Sequence, residues 1–143
     1  MGSLRLIHIK VVLGLIGLIC LALGNLHSHA QSRAKWLQQT TGSYQSTIQH
    51  DNSQMAGTTT FQKRGNRIEG TYTINEPTGT VSGTLTNCRA VETLTVLCAW
   101  EDSYGTGSLK ATFTNNFSGF EGDWWIAGAG DFLYPWDGSK TKD

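Results

Sequence analysis

The chain has 143 residues, with eleven Lys and Arg against eleven Asp and Glu and a formal net charge of zero. That balance argues against a nucleic-acid partner, because such binding relies on clustered cations that release counterions from phosphates; only Lys63-Arg64-Gly65-Asn66-Arg67 concentrates positive charge, in a Gly- and Asn-rich turn. Beyond residue 30 only His50, Cys88 and Cys98 could act as imidazole or thiolate ligands, so neither a zinc site nor any cofactor is expected.

Taken in chain order, Arg5 and Lys10 precede and open an apolar stretch from Val11 to Leu23, and Ser28-His29-Ala30 ends just before Gln31. A positive start, an apolar centre and a small-residue exit define a secretory signal peptide, so residues 1–30 are read as an export leader. The apolar run is short for a bilayer-spanning helix. No membrane association is expected after cleavage, and Cys20 is read as apolar filler. Removing residues 1–30 takes away Arg5 and Lys10 but no acid, leaving nine bases, eleven acids and a net charge of minus two. Residues 31–41 form a polar leader in which Trp36 and Leu37 are the apolar pair.

Residues 42–143 are read as a single antiparallel β domain. Short apolar-polar runs alternate with turn residues throughout, and Thr is abundant in the runs, as suits a half-buried pleated surface. Tyr44 to Ile48 and Thr58 to Lys63 open the series. Ile68, Gly70, Tyr72 and Ile74 then form one inward set, and Val81, Gly83 and Leu85 the next. Leu94, Val96, Cys98 and Trp100 follow, then Leu109, Ala111 and Phe113, then Phe120, Gly122, Trp124 and Ile126. Period two over consecutive segments predicts strands with one dry and one wet face. The turns Arg64-Gly65-Asn66, Glu76-Pro77-Thr78-Gly79, Ser103 to Gly107 and Asn115 to Gly119 supply Gly, Pro or Asn at each reversal. Seven strands result, with Asp131 to Tyr134 as a candidate eighth. Hairpin connections favour an up-and-down meander closed into a barrel, which removes aggregation-prone edges. A two-sheet β-sandwich is the alternative, with Gly70, Gly83 and Gly122 marking corners of either architecture.

Cys88 and Cys98 survive processing in an oxidising compartment and are expected to pair as a disulfide. Regular strands would set Cys88 out of phase with inward Leu85, so the chain between them must twist. Tyr72, Trp100, Phe113 and Trp124 share inward parity, either as core or as the walls of a cavity for an apolar or sugar-like ligand. Trp125 must point outward, and with Tyr134, Trp136 and Trp36 it could form an exposed aromatic platform or be covered by the C-terminal segment. These five residues, Tyr72, Trp100, Phe113, Trp124 and Trp125, are the candidate ligand contacts. No catalytic residue is assigned: His50 is read as part of an exposed turn, and Glu69, Glu121 and Asp123 as a solvated outer face. Glu101-Asp102 falls short of a calcium loop.

The series Gly42-Ser43-Tyr44, Gly65 to Tyr72, Gly79 to Gly83, Leu94 to Trp100, Gly105-Thr106-Gly107 and Phe120 to Trp124, with the ending Trp136 to Lys140, resembles a type of uncharacterised bacterial secreted domain regarded as a lipocalin-like or avidin-like meander barrel. The resemblance covers residues 42–140 and implies architecture without an activity. The expectation is a secreted or periplasmic, non-enzymatic binding module for a small apolar or sugar-like ligand or a protein partner. The alternatives are a protease inhibitor presenting Arg89 on the Cys88-Cys98 loop, or a carboxylate-dependent hydrolase.

Overall fold

The computed structural model describes residues 35–50, 52–130 and 132–142. The expected export leader, and the leader residues up to 34, lie outside them. Eight strands follow one another: β1 (Gly42–His50), β2 (Ser53–Arg64), β3 (Arg67–Glu76), β4 (Gly79–Glu92), β5 (Thr95–Asp102), β6 (Gly105–Phe113), β7 (Gly119–Ile126) and β8 (Tyr134–Lys140). Each pairs antiparallel with its sequence neighbour, and β1 pairs with β8, so the meander closes into a barrel. The sandwich alternative is thereby excluded. The eighth strand begins where the sequence reading ended it, at Tyr134, which gives Tyr134, Trp136 and Gly138 the inward parity.

The alternation explains why these segments are strands. Along β3 the burial alternates residue by residue, with Ile68, Gly70, Tyr72 and Ile74 buried and their neighbours outward. Closing the sheet turns all such dry faces toward one axis. The turns are short: Arg64 pairs with Arg67, leaving Gly65 and Asn66 as a two-residue hairpin with Gly65 at φ +59°. A glycine at the first central position is what a primed hairpin turn demands, because its backbone twist matches that of the strands.

One irregularity resolves the phase problem at the cysteines. Thr86 pairs with Ala99 and Arg89 with Leu97, so Asn87 and Cys88 together stand opposite Cys98. This is a β-bulge, with Asn87 left-handed at φ +52°. The extra residue returns Cys88 to the inward side, and Cys88 and Cys98 are bridged with Cα atoms 4.1 Å apart. The segment from Cys88 to Glu92 is therefore part of β4, and the expected Cys88-Cys98 loop is a strand hairpin. Leu94, expected inside β5, instead occupies the β4–β5 turn at φ +60°.

Odd-numbered strands run toward one end of the barrel, the mouth, and even-numbered strands return toward the other, the base. At the base Tyr44, Phe61, Phe113 and Phe120 pack as a ring cluster with centroids 5.4–6.0 Å apart, and Phe117 joins Phe113. Edge-to-face geometries dominate, as ring quadrupoles prefer. A 3-10 turn (Gln38–Thr40) lies beneath this plug. There the Tyr44 hydroxyl donates to the Thr40 carbonyl at 2.9 Å, and Trp36 and Leu37 pack against the core. The polar leader thus ends as the barrel's basal cap.

Candidate functional site

The mouth holds a small cavity of about 50 Å³ lined by Ile48, His50, Tyr72, Ile74, Glu76, Trp100, Asp102, Tyr104, Trp124, Ile126 and Trp136. Each lining residue except Trp136 on β8 belongs to an odd-numbered strand near its mouth end or to the turn beyond it. The cavity is shallow because the base is solid aromatic packing. A pocket that encloses a drug-sized ligand needs about 300–1,000 Å³, so the barrel is a plugged cup rather than a container for a long apolar chain.

Its walls are built by pairing large rings across from glycines. Tyr72 faces Gly83 on β4, and Trp100 faces Gly107 on β6. A Cβ at Gly83 would collide with the Tyr72 ring, and one at Gly107 with the Trp100 indole and the Trp125 carbonyl. The missing side chains let each ring lie over the neighbouring strand. Trp124 meets Trp100 edge-on at 5.5 Å and stacks on Tyr134 at 4.9 Å, while Tyr72 meets Trp136 edge-on at 4.7 Å.

All three indole N–H groups in this layer are satisfied internally. Trp100 donates to the Trp125 carbonyl at 3.1 Å and Trp124 to the Gln49 carbonyl at 2.9 Å. Trp136 donates to the Thr59 hydroxyl at 3.0 Å, and Thr59 in turn pairs with the Ser46 hydroxyl at 2.8 Å. These fixed donors orient the rings, which are packed against one another and line the cup while staying largely buried.

Two carboxylates stand among them. Asp102 accepts from the Tyr72 hydroxyl at 2.7 Å and from the Tyr104 amide at 2.8 Å. Glu76 accepts from the Tyr104 hydroxyl at 2.7 Å. Burial, the hydrogen bond to Asp102 and that carboxylate's charge all push the Tyr72 phenol far above its ordinary value. The bond to Glu76, helped by slight desolvation and the nearby charges, raises the Tyr104 phenol as well. Both hydroxyls therefore remain donors throughout the neutral range. His50, at the end of β1, stacks with Trp124 at 6.0 Å and Tyr104 at 6.2 Å. It is part of the rim and not of a solvated turn.

The five candidate contacts divide. Tyr72, Trp100 and Trp124 form the cup wall. Phe113 lies in the basal plug, because its inward position falls at the base end of β6. Trp125 points outward, half-buried, and is brought to the site only through its carbonyl. The expected aromatic platform is not formed: Trp136 is buried on the inner face of β8, Tyr134 stacks on Trp124, and Trp36 packs against the core beside the basal turn. Glu69 on β3 lies across the barrel from Glu121 and Asp123 on β7, so these carboxylates share no face-to-face site. Arg89 pairs with Leu97 in the β4–β5 ladder, between two register shifts, and not on a projecting loop.

The residues that sequence reasoning missed are Glu76, Asp102, Tyr104, Trp136 and His50. Compared with known proteins, the chain matches no family model, no curated protein and no solved structure.

Proposed function

We propose that this protein is an exported, non-enzymatic binding module whose recognition end is the barrel mouth. One observation carries the reading. Among the described residues, the large hydrophobic side chains left exposed are Tyr104 at 63%, Ile126 at 41%, Phe132 at 70% and Leu133 at 58%, and all four belong to the mouth. Tyr104 and Ile126 border the cavity itself, and Phe132 and Leu133 lie on the β7–β8 connection beside it. Scattered exposed apolar residues need no explanation, but a group of them around a concave aromatic site marks a surface that is covered in use.

Tyr72, Trp100 and Trp124 are the ligand contacts of this reading. The cavity's size favours a compact ligand group seated in the cup, with the rest of the ligand against the rim. The export pattern of residues 1–30 and the bridged cysteines support delivery outside the cytoplasm. The resemblance to lipocalin-like and avidin-like meander barrels supports a mouth-centred site of the same general kind.

The test is amide-resonance mapping with a panel of small aromatic, saccharide and amine compounds. A binder should move resonances at residues 48–50, 74–76, 100–104 and 124–126 and spare the basal plug. A panel that leaves the mouth unmoved, or that perturbs only the base and outer wall, would overturn the proposal.

A further inference from the structure

The cup's charge is one-sided. Glu76 and Asp102 are half-buried at its rim, and among the described residues no Lys or Arg lines it, His50 being the one imidazole there. Their contacts among the described residues are two tyrosine hydroxyls and one backbone amide, all neutral donors. The described lysines and arginines stand elsewhere. Lys63, Arg64 and Arg67 frame the basal β2–β3 turn, Lys140 ends β8 at the base, and Lys35 and Lys142 flank the terminal segments there. Arg89 and Lys110 are exposed on the outer wall, where Lys110 pairs with Glu92 at 3.1 Å. Glu69, which pairs with Arg64 at 3.7 Å, Glu92 and Glu121 offset part of this charge, and the lysines and arginines still outnumber the acids toward the base.

Resting on the mouth as the binding end, we infer that its ligand is an organic cation: a compact alkylammonium group held against the aromatic wall beside Glu76 and Asp102. Any ligand that covers the cup strips water from two carboxylates that form no ion pair among the described residues. Desolvating a charge without compensation is costly. A neutral saccharide could stack on the rings and donate hydroxyls to the carboxylates, yet it would leave two like charges close together without neutralising them. A bare metal ion would seek six or more oxygen ligands, which two carboxylates in an aromatic pocket do not supply. An alkylammonium meets both features at once, because its charge offsets the carboxylates and its methyl or methylene surface lies on ring faces, where the quadrupole attracts cations. The polarised surface also draws cations toward the mouth before contact.

Choline and its uncharged tert-butyl isostere differ in charge and hardly in shape. Titrated into the protein and followed by tryptophan fluorescence, choline should bind about tenfold more tightly than the isostere. Glu76→Gln and Asp102→Asn should each weaken choline several-fold and leave the isostere unchanged. Glu76→Gln is the decisive variant, since its amide oxygen still accepts from Tyr104 and the fold is undisturbed. If the isostere binds as well as choline, or E76Q leaves choline affinity unaltered, the cation inference is overturned while the mouth stands as a site for neutral ligands. If neither compound binds and a saccharide from the panel does, the cation inference falls alone. If nothing moves the mouth resonances, both readings fall.

Discussion

Thr59 is the residue on which the floor of the cup depends. Its hydroxyl is fully buried and serves two partners, accepting from the Trp136 indole at 3.0 Å and pairing with Ser46 at 2.8 Å. Ser46 also donates to the Tyr44 carbonyl at 3.3 Å. The donors then run in one direction, from indole to Thr59 to Ser46 to carbonyl. Thr59→Val keeps the shape and removes the hydroxyl, leaving a buried indole N–H unsatisfied, since Trp136 is 2% exposed. Orphaning such a donor costs about 1–3 kcal/mol, whereas replacing both partners by apolar groups is much closer to neutral. Trp136→Phe adds a void that carries its own cost, but that cost cancels in a double-mutant cycle. The expectation is that T59V costs about 2 kcal/mol alone and about 1 kcal/mol or less when W136F is already present. In urea, with the slope typical of small domains, the first figure lowers the midpoint by on the order of 1 M. Far-ultraviolet dichroism should be the readout, because W136F alters fluorescence. An equal cost of T59V in both backgrounds would refute the relay.

Other perturbations probe other parts of the barrel. Gly107→Ala should destabilise more than Gly83→Ala, at the upper end of the roughly 1–3 kcal/mol range for overpacking, because its Cβ meets the Trp125 backbone carbonyl whereas at Gly83 only the Tyr72 side chain must yield; equal melting temperatures would contradict this. Burial pushes the Tyr44 phenol from 10.0 up to about 12, so the folded state keeps a proton that the unfolded chain releases. That contribution is intact below pH 10 and is lost as pH rises toward 12, about 2–3 kcal/mol from Tyr44; a urea midpoint that is flat across this window would refute it. Replacing Cys88 and Cys98 by serine removes a bridge of sequence separation 10, expected to cost about 2–3 kcal/mol or less, because the flanking hairpin ladder already holds the two strands together. Alkylation of both thiols in unreduced, natively exported protein would count against the bridge.

Period-two alternation made most of the wall legible, because a residue's side of the sheet depends only on its parity within a strand. Two failures came from stopping or starting that count at the wrong place. Extending the set Ile68, Gly70, Tyr72, Ile74 by one step reaches Glu76, and extending Val96, Cys98, Trp100 reaches Asp102. In sequence, Glu76 reads as the first residue of the turn to Gly79, and Asp102 is weighed only with Glu101 as a calcium ligand. The eighth strand failed in the other direction: ending it at Tyr134 hid the inward parity of Trp136 and suggested an exposed platform. The bulge was signalled more faintly. Asn is among the few non-glycine residues that enter the left-handed region readily, and Asn87 directly precedes the out-of-phase Cys88. What parity could not reveal was which end of the barrel would close. Phe113 and Trp124 look alike in the pattern, and their fates differ only because strand direction carries one to the base and the other to the mouth.

That division gives the two ends different physical tasks. At the base every aromatic meets another ring or the basal turn, so burial there is complete and stabilises the fold. At the mouth the inward positions continue past the point where neighbouring strands can cover them, and the side chains placed there include Glu76 and Asp102 as well as apolar Ile126, with Tyr104 on the adjoining turn. Had the mouth served only to close the barrel, a second plug of Phe or Leu at those positions would have filled the cup without placing carboxylates beside it. The chain instead spends its inward parity on two carboxylates held by neutral donors beside ring faces. Such an arrangement loses energy when dehydrated, unless what dehydrates it brings a positive charge.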